Sequence, residues 1–127
     1  MEENRSLGAL QCDLHTHSVF SDGTYTPTEI VAEAARLDLI VALTDHNTTA
    51  GLTEFKDAAR KLGVTAVPGI EFSTEHEEKE LHLLGLFVLP KHYAAIEEML
   101  REAHALKEVF NRKLVTRLNQ AGYLIDY

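Results

Sequence analysis

Leu39-Ile40-Val41-Ala42-Leu43 runs straight into Thr44-Asp45-His46, and this stretch decides the fold class. An unbroken apolar run of this length, bounded by polar residues, fits a strand buried on both faces in a parallel sheet covered by helices. The polar group that follows lies where such a strand ends.

The flanking sequence agrees. Thr26-Pro27-Thr28-Glu29 supplies an N-cap, a proline at the first helical position and a capping-box glutamate. A helix is therefore expected from about Pro27 to Leu37, with Ile30, Val31, Ala34 and Ala35 as its apolar face. Upstream, Leu10 to His17 alternates with a period of two, which places Asp13, His15 and His17 on one face of a strand. Ser21-Asp22-Gly23 is turn-forming. Downstream, a second helix is expected from about Thr49 to Leu62, closed by Gly63. A third strand follows from Val64 to Phe72 and contains Pro68-Gly69-Ile70-Glu71. Glu75 to Glu80 reads as a solvated turn, with His76 solvated beside its acidic neighbours, leading into a fourth strand, Leu81 to Val88, paired back as a hairpin. From about Lys91 to Ala121 the pattern is helical, as one helix or two. Its apolar stripe, Ile96, Met99, Leu100, Ala103, Leu106, Phe110, Leu114 and Leu118, is expected to be core or a domain contact. Strands alternating with helices define an α/β class built from right-handed crossovers.

The chain has 127 residues, 45% of them apolar, which suits one domain with a core of its own. It contains no apolar run long enough for a membrane span, and its first residues lack the zones of a secretory signal. A soluble, cytoplasmic protein is expected, with no membrane partner. The single cysteine, Cys12, suits a reducing compartment and reads as a small buried strand residue. A net charge of −8 argues against a broad nucleic-acid-binding surface. A phosphorylated ligand would need a local source of positive charge.

That source is suggested by where imidazoles and carboxylates fall. His15 and His17 lie at the end of the first strand, Asp45 and His46 at the end of the second, and Glu71 on the third. In α/β sheets those ends share the face on which active sites are built. Taken singly, His-x-His is more often structural, and Thr-Asp-His could be only a helix cap. Taken together, such groups are costly to bury unless paired or bound to metal. No serine or cysteine nucleophile motif is visible.

At this point a resemblance becomes specific. Asp13-Leu14-His15-Thr16-His17, Ser21-Asp22-Gly23, Leu43-Thr44-Asp45-His46-Asn47 and Pro68-Gly69-Ile70-Glu71, followed by His82 in Leu81-His82-Leu83-Leu84-Gly85, resemble the first motifs of the PHP (polymerase and histidinol phosphatase) family. The later Asn111-Arg112 and Leu118-Asn119-Gln120-Ala121-Gly122 are similar to a segment of the branch that acts on nucleoside 3',5'-bisphosphates and short oligonucleotides.

The resemblance implies a distorted (β/α)7 TIM-like barrel, a metal-dependent phosphoesterase, and up to three divalent ions, a mixture of manganese, iron and zinc. It implies that His15 and His17 bind the first ion, that Glu71 bridges the first and second, that His82 binds the second, and that Asp22 with His46 binds the third. Asp45 and Asp13 would orient these ligands rather than coordinate. Arg112 and Arg117 could grip a substrate phosphate, although an exposed helix face is the better account of them. The family completes its site with later ligands that are not found after His82, where only His92 and His104 remain. The expectation is therefore an N-terminal barrel portion over residues 1–90, a helix over residues 91–127 leading toward an insertion, and C-terminal strands missing from this chain. The implied partner is a phosphorylated small molecule or short oligonucleotide. Histidinol phosphate hydrolysis, a non-catalytic metal-binding module and an α/β domain without metal are the alternatives.

Overall fold

A computed structural model describes residues 11–127; Leu10, the expected start of the first strand, lies outside the described residues. The elements are β1 (Gln11–Thr16), α1 (Pro27–Leu37), β2 (Leu39–Leu43), α2 (Leu52–Leu62), β3 (Ala66–His76), β4 (Lys79–Leu86) and α3 (Tyr93–Gln120), with one 3-10 turn at Pro90–His92. The sheet order is β1-β2-β3-β4. β1, β2 and β3 run parallel, and β4 returns antiparallel to β3. This is the α/β fold of an incomplete TIM-like barrel, with parallel strands joined by helices.

The core lies between the sheet and the first two helices. Val31, Leu43, Leu52 and Phe55 are fully buried together with Ile30, Ala34, Val41, Ala58 and Ala59. Burying each of the larger side chains is worth about 1.5–3 kcal/mol. Val41, Ala42 and Leu43 are all buried, as expected for a strand covered on both faces. α1 starts where its capping box dictates: the Thr26 N–H donates to Glu29 Oε2 at 2.8 Å, and the Glu29 N–H donates to Thr26 Oγ1 at 3.2 Å. α2 begins at Leu52 rather than Thr49, because Thr49 is spent on the turn before it, where its carbonyl accepts from the Leu52 N–H at 3.0 Å. It ends at Gly63, whose φ of 70° is left-handed.

Three local readings change. Cys12 is exposed, since β1 is the outermost strand and its residues are at most half-buried. Ala35 is exposed, and Pro27 joins Ile30, Val31 and Ala34 on the buried face of α1. The acidic stretch is mostly strand: Glu75 pairs with Glu80 and His76 with Lys79, which confines the turn to Glu77-Glu78. Both turn residues have positive φ, 49° and 61°, the conformation of a two-residue hairpin loop that favours Asn-Gly.

The chain divides after Tyr93 into two compact units. In the second, α3 buries Leu100, whereas Met99, Leu106, Phe110 and Leu114 are exposed. The expected stripe is therefore largely uncovered among the described residues; one helix cannot bury its own apolar face. No helix of the described residues is long and apolar enough to cross a membrane.

The strained turn leads to a stability prediction. Replacing Glu77-Glu78 with Asn-Gly should raise the unfolding free energy by about 1–2 kcal/mol in urea titration, because left-handed backbone costs non-glycine residues energy. An unchanged midpoint would mean the turn is not formed as described.

Candidate metal centre

Glu71 is the centre of the site. It lies on β3 and is 3% exposed. Beyond Leu43 the chain leaves the regular ladder, yet the His46–Glu71 bridge keeps the two strands aligned. The Glu71 N–H donates to the Asp45 carbonyl at 3.1 Å, and the Asn47 N–H donates to the Glu71 carbonyl at 2.9 Å. Asn47 takes a left-handed φ of 51°, and its side-chain oxygen accepts from the Ser73 N–H at 2.9 Å. The polar end of β2 is thereby held against the middle of β3.

Four imidazoles converge on this one carboxylate. His15 Nε2, His17 Nε2 and His46 Nδ1 lie 2.9, 3.1 and 3.4 Å from Glu71 Oε2, and His82 Nδ1 lies 3.0 Å from Oε1. Successive rings, His15 to His17, His17 to His46 and His46 to His82, have centroids 5.0, 4.6 and 5.1 Å apart. β4 delivers His82 through register: Ser73 pairs with His82 and Glu71 with Leu84, so Glu71 and His82 are diagonal neighbours on one face. Asp22, from the loop after β1, places Oδ1 3.5 Å from His17 Nδ1 and Oδ2 3.6 Å from His46 Nε2. Three groups have the spacing to hold an ion: His15, His17 and Glu71; His17, Asp22 and His46; His46, Glu71 and His82.

Hydrogen bonding between the side chains does not account for this arrangement. One carboxylate oxygen has two lone pairs, and a neutral imidazole has only one N–H to donate. Three imidazole nitrogens crowd Oε2, and His46 Nδ1 is buried without a hydrogen-bond partner. An orphaned ring nitrogen beside an oversubscribed carboxylate fits a group of side chains that can hold a cation. The nitrogen and oxygen donors suit manganese, iron or zinc.

The electrostatics have the same origin. Burial alone would raise the Glu71 carboxyl, but hydrogen bonds from His15 and His82 and the nearby charge of His46 and His15 outweigh it and hold the group below its ordinary value. His82 is raised, chiefly by its hydrogen bond to Glu80 (Nε2 to Oε1, 2.8 Å), with Glu71 adding to the effect.

The expected residues divide clearly. His15, His17, Asp22, His46, Glu71 and His82 are brought together. Asp45 bonds instead to the loop after β1. It is 2% exposed and accepts from the Ser18 N–H, the Ser18 hydroxyl and the Ser21 hydroxyl, each at 2.7 Å. Asp13 accepts from the His15 backbone N–H at 3.3 Å. The register of β1 shifts between Asp13 and Thr16, so the simple alternation that placed Asp13 with both histidines is interrupted. Arg112 is held by Glu108 at 2.7 Å and lies 5.3 Å from the Tyr127 ring centre. Arg117 is exposed on the same helix. His76 is exposed, as expected.

Sequence reasoning missed Ser18, Ser21, Asn47 and Glu80. The spacing Glu80-x-His82 on a strand was a usable signal, since it places both side chains on one face. Gly23, read only as a turn residue, is required sterically: a Cβ there would lie 2.0 Å from the His17 carbonyl oxygen.

A family model described as the PHP domain matches residues 13–124, and the chain belongs to that family. The chain is similar to a 5'-3' exoribonuclease of Haemophilus influenzae, with 36% identity over 111 residues, covering 87% of this chain and 40% of the relative. It is also similar to a phosphoribosyl 1,2-cyclic phosphate 1,2-diphosphodiesterase of Eggerthella lenta, with 38% identity over 120 residues, covering 90% of this chain and 44% of the relative. A crystal structure of a Bifidobacterium adolescentis protein assigned as a metal-dependent phosphoesterase matches with a TM-score of 0.81 at 35% identity, covering 88% of this chain and 39% of that one. The chain thus spans about two fifths of the length of these relatives. Clusters typical of PHP metal-dependent phosphoesterases are present, and the relatives span more than one branch of the family.

Two outcomes follow from this geometry. His17→Ala and Glu71→Ala should each lower metal content measured by elemental analysis; unchanged stoichiometry in both would refute the ligand set. In the metal-free protein, the depressed Glu71 carboxyl stabilises the fold above its unfolded value of 4.5, and that contribution disappears as pH falls through the lower folded value. Glu71→Gln should therefore flatten the dependence of urea stability on pH below about 4.5. The raised His82 acts oppositely, contributing below 6.5 and losing its contribution as pH rises through the folded value.

Proposed function

We propose that this chain is the metal-binding portion of a phosphoesterase that hydrolyses phosphate esters of nucleotides or oligonucleotide ends. The single observation that carries the reading is the buried Glu71 carboxylate facing four imidazoles and oversubscribed by them. Its two oxygens face different histidines, which suits a carboxylate shared by two cations. In this assignment His15, His17 and Glu71 hold one ion, Glu71 and His82 a second, and Asp22 with His46 a third. Asp45 and Asp13 shape the chain that carries these ligands. Bound manganese, iron or zinc would supply a nucleophile at neutral pH and offset the phosphate charge that this acidic chain would otherwise repel. Arg112, which is ion-paired with Glu108, and Arg117 are candidate contacts for a substrate phosphate. The names of the two relatives, one for ribonucleic acid and one for a phosphoribosyl compound, support a ribose-linked phosphate as the target. A cytoplasmic setting suits both that substrate class and the lone cysteine.

The test is hydrolysis by the full-length protein with manganese. The substrates are a 5'-phosphorylated oligoribonucleotide, a nucleoside 3',5'-bisphosphate and histidinol phosphate. Turnover of the first two, abolished by a chelator and lowered about 100-fold or more in kcat/KM by Glu71→Gln, is expected. Turnover of histidinol phosphate alone would overturn the substrate class. Bound metal with no hydrolysis of any of the three would favour a non-catalytic module.

A further inference from the structure

Ser21 lies where the buried Asp45 carboxylate meets the metal cluster. Its hydroxyl is 2.7 Å from Asp45 Oδ1 and 3.4 Å from both His17 Nδ1 and Asp22 Oδ1. The loop that carries it is fixed by its own hydrogen bonds. Ser21 and Gly23 both donate their N–H groups to the Ser18 carbonyl at 3.0 Å, and Ser18 is itself fully buried against Asp45. Ser21 therefore has little freedom to turn away.

A serine hydroxyl has one proton to give. The short, charge-assisted contact to Asp45 takes it, since hydrogen bonds to ionised acceptors are about twice as strong as neutral ones. Toward His17, Ser21 then offers only lone pairs. His17 Nδ1 must carry a hydrogen to face them, and a neutral His17 keeps its lone pair on Nε2, 3.1 Å from Glu71 Oε2. A lone pair aimed at a carboxylate oxygen is repulsive unless a cation sits between them.

We propose that Ser21 is a positioning residue, which passes the constraint of buried Asp45 to the His17 ring, holds Nδ1 in the protonated form and keeps Nε2 free for the cation shared with Glu71. This rests on the metal reading above. It also resolves a competition, because His17 belongs by distance to two of the candidate groups, one with Glu71 and one with Asp22 and His46. With Nδ1 protonated, His17 can coordinate only on the Glu71 side. Asp22 and His46 are left to hold their ion without it.

The experiment is zinc titration calorimetry on the wild type, Ser21→Ala and Ser21→Thr, with nitrogen-15 NMR of the histidine rings in the zinc-loaded wild type. Ser21→Ala should weaken zinc binding about 10–100-fold while circular dichroism stays unchanged, and Ser21→Thr, which keeps the hydroxyl, should remain within about threefold of the wild type. The NMR spectrum should show His17 protonated at Nδ1. Wild-type affinity in Ser21→Ala, or His17 protonated at Nε2, would overturn the role of Ser21 and leave the metal site intact. If Ser21→Ala does not fold, the ring protonation in the wild type decides alone. A wild type that binds no zinc would overturn the metal reading itself, and this role with it.

Discussion

Burying a carboxylate costs several kcal/mol unless its oxygens are compensated, and Glu71 is the place where this chain accepts that cost. Its compensation comes from four imidazoles on three other stretches of the chain: His15 and His17 at the end of β1, His46 just after β2, and His82 on β4. Removing the carboxylate would leave four rings, with successive centroids 5.0, 4.6 and 5.1 Å apart, without their common partner. The demand also runs the other way, since these rings have more nitrogens than Glu71 can satisfy. Positive charge at its centre would meet both demands.

The fold serves this convergence. Parallel strands bring the ends of β1 and β2 to the same edge, while the hydrophobic core beneath them, with Phe55, Leu43 and Val31, holds the strands in register. The antiparallel return of β4 brings His82 to the group, because hairpin register makes it a diagonal neighbour of Glu71. Around this, buried Asp45 ties down the loop after β1 through Ser18 and Ser21, and Asn47 ties the segment after β2 to β3. The loops that carry these groups are therefore held by hydrogen bonds of their own. A preorganised site of this kind spends less binding energy on ordering its ligands.

Much of the fold was legible because local rules and burial agreed. The capping box at Thr26 set the start of α1, Gly63 set the end of α2, and the apolar run at Leu39 to Leu43 marked the buried strand. The readings that changed concern neighbours rather than propensity. Cys12 is exposed because β1 lies at the sheet edge, and the apolar stripe of α3 is largely uncovered among the described residues because its own unit contains no second helix. The hairpin is longer than its charge suggested, since strand pairing across Glu75 and Glu80 tolerates solvated side chains.

For the site, the sequence by itself determined the donor chemistry: which histidines and carboxylates exist, and that they fall near strand ends. Residue type and a period of two are local properties, so no tertiary information was needed. Only the tertiary structure decided that four rings meet at Glu71, that Ser18 and Ser21 are the partners of Asp45, and that Asp13 accepts from the His15 backbone. Those outcomes depend on strand register, on a shift within β1 and on the path of a loop, and each is set by packing between segments far apart in the chain.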